Sequence, residues 1–184
     1  KENKILIYFG NYMRRYNGFE HLLYAIKILP PEYKLIILGK DKSDGYFNNM
    51  IDELEISNKI LKLNPVPHFL MPEIAKYAKI GVIPTTRNNL FQCIFSLPNK
   101  FLESIKCNLP IICMDLPEQN EIIRSFKNGI IINEKKGKLN IQIKNACIEI
   151  IKNYNIYKRN ASYCSNSISL DDELNKFKSI LGTK

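Results

Sequence analysis

Phe95-Ser96-Leu97-Pro98-Asn99-Lys100-Phe101-Leu102-Glu103-Ser104-Ile105-Lys106-Cys107-Asn108-Leu109-Pro110-Ile111-Ile112-Cys113 runs as loop, helix, turn and strand, and that order decides the fold. Pro98 has a fixed φ and no N–H, which suits the first position of a helix. Phe101, Leu102 and Ile105 recur at helical spacing and predict a core-facing stripe. Asn108 stands where a left-handed residue commonly ends a helix. Residues 110–113 form a short apolar run, as expected of a strand covered on both faces. Asn99, Lys100 and Glu103 therefore fall in the opening turns of a helix that follows a loop. Free N–H groups and the positive end of the helix dipole collect there. With a lysine added, the place suits a phosphate. Glu103, one turn on, can accept hydrogen bonds from sugar hydroxyls. An ordinary amphipathic helix between two strands is the plainer alternative for this segment taken alone.

Working outward, the same alternation continues in both directions. Apolar runs predict strands at 4–9, 34–38, 60–63, 80–83, 110–113 and 130–132. Helical periodicity falls at 18–29, 46–54, 69–77, 98–107, 119–126, 139–154 and 171–181. Strands that are apolar throughout and alternate with helices predict α/β architecture, a doubly wound parallel sheet of Rossmann-like type. No repeat or composition shift divides the chain, so 1–184 reads as one domain with a terminal helix in 171–184. Residues 162–169 are the most linker-like stretch, and the acids after Leu170 suit a helix start.

The 184 residues fit one domain, or one half of a two-domain enzyme, and a hydrophobic content of 45% is enough for a core. No apolar run approaches the ~20 residues a membrane helix needs. No leader is visible before the first strand, so the expectation is a domain excised from a longer chain. The net charge of +9 would suit nucleic acid. Yet the lysines are scattered and no basic run interleaves with aromatics, so nucleic acid is not expected as a partner. An anionic membrane surface suits the charge at least as well. The five cysteines include no Cys-x-x-Cys pair. Cys107, Cys113 and Cys147 lie in apolar patterns and predict buried thiols, which fits a reducing, cytoplasmic compartment. His21 and His68 are far apart and no Asp-x-Asp occurs, so no metal site is expected.

In such sheets ligands bind beyond the carboxyl ends of the strands. The loop Gly10-Asn11-Tyr12-Met13-Arg14-Arg15-Tyr16-Asn17-Gly18 is neither a Gly-x-Gly-x-x-Gly fingerprint nor a P-loop. Its glycine lets backbone approach a ligand, and Arg14 and Arg15 offer bidentate donors to phosphate oxygens. Two surface arginines would explain it equally simply. Val66 and Pro67 offer an apolar shelf and free backbone groups to a base edge. His68 has no identifiable serine, cysteine or acid partner and reads as a capping or loop histidine rather than a catalytic base. The long loop 84–96 leads straight into the Pro98 helix, and long loops in compact domains are often functional. Glu121 reads as a helix-starting acid in a stretch that ends on Asn128-Gly129.

Pro98-Asn99-Lys100-Phe101-Leu102-Glu103, with Asn108-Leu109-Pro110 as the turn into a strand, resembles the donor-site helix of the retaining GT-B glycosyltransferases of the group 1 family. Gly10 and Gly18 match glycines of that family's first loop. Asn17 stands where the family has a lysine, and Arg14 or Arg15 replaces its charge. The resemblance implies a carboxyl-terminal, Rossmann-like half that binds a nucleotide diphosphate sugar and works with an amino-terminal acceptor half. It implies that Gly10, Asn11, Arg14, Arg15, Asn99 and Lys100 hold the diphosphate, and that Glu103, Val66 and Pro67 meet the ribose and base. It names no catalytic residue, no cofactor and no metal. Many members carry two glutamates at a fixed spacing. Glu103 matches the second, but Phe95 occupies the first position, which puts the sugar-side role in doubt. The implied reaction is sugar transfer to an acceptor hydroxyl in glycan, lipopolysaccharide or capsule biosynthesis, in the cytoplasm or at its membrane surface. Two rivals are half of a GT-B nucleotide-sugar epimerase and a non-catalytic Rossmann-like interaction module.

Overall fold

Six apolar runs pair side by side into one sheet, and every pairing between them is parallel. The computed structural model describes residues 2–12, 18–85, 97–168 and 180 of the 184. The strands are β1 (Lys4–Phe9), β2 (Tyr33–Leu38), β3 (Ile60–Leu63), β4 (Ile80–Ile83), β5 (Ile111–Met114) and β6 (Gly129–Ile132). The helices are α1 (Phe19–Ile28), α2 (Tyr46–Glu53), α3 (Met71–Ala75), α4 (Asn99–Lys106), α5 (Pro117–Phe126), α6 (Leu139–Lys152) and α7 (Tyr154–Ser167). Short 3-10 turns at Ser57–Lys59, His68–Leu70 and Glu134–Lys136 enter β3, α3 and α6.

The strand order is β3-β2-β1-β4-β5-β6, the Rossmann arrangement with its reversal between β1 and β4. Alternate strand residues feed opposite layers, as the two-residue period requires. Leu6 and Tyr8 of β1 join a core with Phe19, Leu22 and Ile26 of α1, Phe47 of α2 and Ile143 and Cys147 of α6. Ile7 and Phe9 face the other way, onto Met71 and Ala75 of α3. Ile83, Ile111 and Cys113 meet Phe101 and Ile105 of α4 on that second face. The sheet is thus buried on both sides, which is why its strands carry no polar alternation.

The expected Rossmann-like layer is present, with four local differences. Pro98 is not the first helical residue; its ψ of 144° places it just outside α4, where it accepts the Phe101 N–H at 2.8 Å. The helix expected at 69–77 begins as a 3-10 turn, and α3 ends at Ala75. Glu121 sits in the middle of α5, whose first-turn acid is Glu118. The linker-like stretch 162–169 is largely helix: α7 runs through it to Ser167. Its serines and asparagines hid two small residues one turn apart, Ala161 and Cys164, both buried, while α6 stops at Asn153 and the chain restarts. Among the cysteines, Cys113, Cys147 and Cys164 are buried and Cys107 is only partly so. Asn108 adopts the expected left-handed conformation, with φ 55°. The helix expected at 171–181 falls outside the described residues except for Ile180.

Three lysines tie helix ends to distant elements. Lys59 Nζ donates to the carbonyls of Ile26 and Leu29 at 3.0 and 2.7 Å, closing the carboxyl end of α1. Lys27 does the same for Leu54 after α2 at 2.6 Å, and Lys158 for Asn108 after α4 at 2.8 Å. Cations at helix carboxyl ends satisfy orphan carbonyls and favour the dipole. Among the described residues no helix is long and apolar enough to cross a membrane.

Candidate functional site

The register places the crevice. β1 and β4 pair only through Leu6 with Ile80 and Ile7 with Gly81. They have parted by Tyr8 and Phe9, which opens the sheet at its carboxyl edge where the strand order reverses. α4 is drawn close to β4 by two small residues. A Cβ on Gly81 would stand 2.7 Å from Ser104 Oγ, and that buried hydroxyl instead donates to the Lys100 carbonyl at 2.7 Å. The start of α4 is thereby held over the gap.

Lys100 crosses it. Its Nζ donates to Tyr8 Oη at 2.9 Å and lies 4.7 Å from the centre of the same ring. Tyr8 is fully buried, and its hydroxyl donates in turn to the Asn11 carbonyl at 3.3 Å. A buried phenol needs such partners. Burial holds the Tyr8 phenol well above its usual range. The same shielding pushes the Lys100 ammonium down to about 8, against the opposing pull of Glu103. Asn11 is fixed from its other side, since its Oδ1 accepts from the Lys40 N–H at 2.9 Å. The loops after β1 and β2 approach so closely that a Cβ on Gly39 would run into the Gly10 carbonyl. Gly10 itself has φ 92°, open to glycine and strained for other residues.

Glu103 lies one turn further along α4, its side chain 16% exposed and its Oε1 3.6 Å from His68 Nδ1. Burial raises the Glu103 carboxyl, while His68, Lys100 and Lys106 act to lower it. A cavity of about 180 Å³ is walled by Gly10, Asn11, Gly39, Val66, His68 and Glu103. A larger one of about 530 Å³ shares His68 and Glu103 and continues past Asn99, Leu102 and Lys106. The structure therefore brings Gly10, Asn11, Val66 and Glu103 round one space. Asn99 joins Glu103 in the second, and Lys100 is linked to Asn11 through Tyr8. Pro67 lines neither cavity; it precedes the His68–Leu70 turn, and Pro65 stands in the wall instead. Arg14, Arg15 and Phe95 lie outside the described residues.

Two members of this site were missed from sequence. His68 is neither a cap nor without an acidic neighbour: its turn has no side-chain cap, and its side chain faces Glu103. No local pattern joins residues so far apart in the chain. Tyr8 falls within the run expected as the first strand, where an aromatic hydroxyl that is fully buried requires a partner. The loops after β5 and β6, by contrast, are occupied by structural bonding, with Asp115 accepting from Asn120 and Asn133.

Residues 1–165 match the family described as glycosyl transferases group 1. The chain is 28% identical over 106 residues to the chitobiosyldiphosphodolichol beta-mannosyltransferase of Candida albicans, a stretch that covers 57% of this chain and 22% of that enzyme. The carboxyl-terminal domain of the group 1 family protein LpcC from Francisella tularensis superposes with a TM-score of 0.69 at 15% identity, over 90% of this chain and 84% of that one. Anabaena HepE, crystallised with UDP and glucose, superposes with a TM-score of 0.74 at 16% identity, over all of this chain and 49% of that one. The chain thus spans about a fifth of the mannosyltransferase and about half of HepE. These likenesses show the Rossmann-like fold of the GT-B glycosyltransferase neighbours, and the family match shows that the chain belongs to the group 1 glycosyl transferases.

Proposed function

We propose that this domain binds the nucleotide diphosphate sugar of a glycosyltransferase that passes the sugar to an acceptor hydroxyl. One observation carries the reading. Lys100 and Glu103 lie a turn apart on α4 at the reversal of strand order, the ammonium donating to Tyr8 near the end of β1 and the carboxylate lining the cavity. In transfer, the bond from the anomeric carbon to the diphosphate breaks, and its electron pair leaves on the diphosphate. The acceptor oxygen takes the anomeric carbon and loses its proton. Charge therefore grows on the leaving diphosphate, where Lys100, the amino end of α4 and the arginines at 14 and 15 would stabilise it without a metal. The carboxylate of Glu103 would accept from the ribose hydroxyls, and Val66 would flank the base. That HepE was crystallised with UDP supports the nucleotide assignment.

The acceptor and the remaining catalytic groups belong to an amino-terminal half, so this domain alone is expected to bind donor without transferring it. Retention of configuration, a role in glycan, lipopolysaccharide or capsule synthesis, and a cytoplasmic place at the membrane surface complete the proposal. The test is calorimetric titration of the chain with UDP, GDP and ADP. Binding of one of them that weakens in both Lys100→Met and Glu103→Ala supports the reading. Failure of all three to bind, or indifference to both substitutions, refutes it.

A further inference from the structure

We propose that His68 completes the ribose subsite, its imidazole and the Glu103 carboxylate gripping the two neighbouring hydroxyls between them. This rests on the reading of Glu103 as the ribose acceptor and assigns a second group that the sequence did not offer. His68 Nδ1 and Glu103 Oε1 are 3.6 Å apart, longer than a hydrogen bond, so neither satisfies the other. Both line the smaller cavity and the larger one, and the ribose would lie where the two spaces meet. The imidazole side chain is 83% exposed, so no packing role accounts for its direction. The charged and titratable groups facing Glu103 are His68 from the 3-10 turn and Lys100, Lys106 and Cys107 from its own helix. Lys100 is engaged with Tyr8. Among the described residues, His68 is therefore the titratable side chain that approaches Glu103 from a different element. A carboxylate accepts from hydroxyls but cannot donate to them, whereas an imidazole N–H donates to a hydroxyl oxygen. The pair thus matches both halves of a diol's hydrogen-bonding capacity.

The experiment compares UDP and GDP with their 2′,3′-dideoxy forms by calorimetry. It uses the wild-type chain, His68→Ala and His68→Gln. The readout is the ratio of ribo to dideoxy affinity, in which phosphate ionisation and the Lys100 contribution cancel. The ratio should fall about fivefold in His68→Ala, the worth of one neutral hydrogen bond. In His68→Gln, whose side-chain amide N–H can still donate to a hydroxyl, the ratio should fall less. Unchanged melting temperatures would confirm that the exposed substitutions leave the fold intact. If His68→Ala keeps the wild-type ratio, His68 takes no part, although the Glu103 reading stands. If wild type distinguishes neither nucleotide from its dideoxy form, the ribose reading fails and this inference fails with it.

Discussion

Replacing Lys100 by methionine should make the domain more stable and less able to hold a nucleoside diphosphate. The lysine is held at about 8, against an ordinary 10.5, because the fold shields its ammonium. A group whose folded value is depressed in this way opposes folding while it remains protonated, below about pH 8. Above that the folded chain releases the proton and the unfolded chain keeps it until 10.5, so the penalty fades as pH rises through this window. The difference of about 2.5 units corresponds to roughly 3 kcal/mol at ~1.36 kcal/mol per unit. The lost hydrogen bond to Tyr8 costs about 1 kcal/mol in return. The Tyr8 hydroxyl keeps the Asn11 carbonyl as its acceptor. Methionine has a similar unbranched shape and fills such space without a polar head. The net gain at pH 7 is about 2 kcal/mol, or roughly 4–8 °C in melting temperature for a domain of this size. It should shrink toward zero by pH 10. UDP affinity should fall about 10- to 100-fold, the loss of hydrogen bonds from a charged donor, and uridine affinity should hardly change. Melting curves at pH 7 and 10 and titrations with both ligands decide it. A Lys100→Met chain that melts lower at pH 7 would refute the claim that the ammonium opposes folding. Unchanged UDP affinity would refute its role at the diphosphate.

Glu103→Ala should weaken UDP and uridine by a similar factor, about tenfold or more, with Glu103→Gln between; titrations in which both affinities hold would make α4 plain core. Nucleotide binding should survive EDTA, since the sequence offers no Asp-x-Asp for a metal–diphosphate site; a heat signal that vanishes on chelation and returns with magnesium or manganese contradicts this. The chain alone should release no sugar to any acceptor above a Glu103→Ala control, and measurable turnover would move catalysis into this half. Gly39→Ala should destabilise by about 2 kcal/mol or more, because its Cβ would meet the rigid Gly10 carbonyl; a melting temperature within a degree of wild type would show that the two loops can separate.

The expected doubly wound layer followed from apolar runs that alternate with helices, because a parallel sheet must be covered on both faces and its strands then carry no polar positions. The candidate site residues on α4 were legible for a related reason. Pro98, Asn99, Lys100 and Glu103 are local to one helix start, and helix geometry fixes their spacing. What sequence could not supply is the depth of the crevice. That depends on β1 and β4 ceasing to pair after Ile7 and Gly81, a property of register between strands far apart in the chain. Once the strands part, Tyr8 is near enough to receive Lys100, and the ammonium becomes a shielded charge rather than a surface one. The same opening brings the turn after β3 against α4 and sets His68 beside Glu103. Neither partner has a signal at fixed offset from the helix motif. Residues 162–167 were misjudged for the opposite reason. Serine and asparagine are weak helix formers by propensity, but Ala161 and Cys164 are buried and Lys158 is tied to Asn108, so tertiary contacts decide the element. The basic composition likewise takes part of its meaning from tertiary contacts between lysines and distant carbonyls. Several close helix ends, and the one at the crevice is shielded by burial and donates to Tyr8.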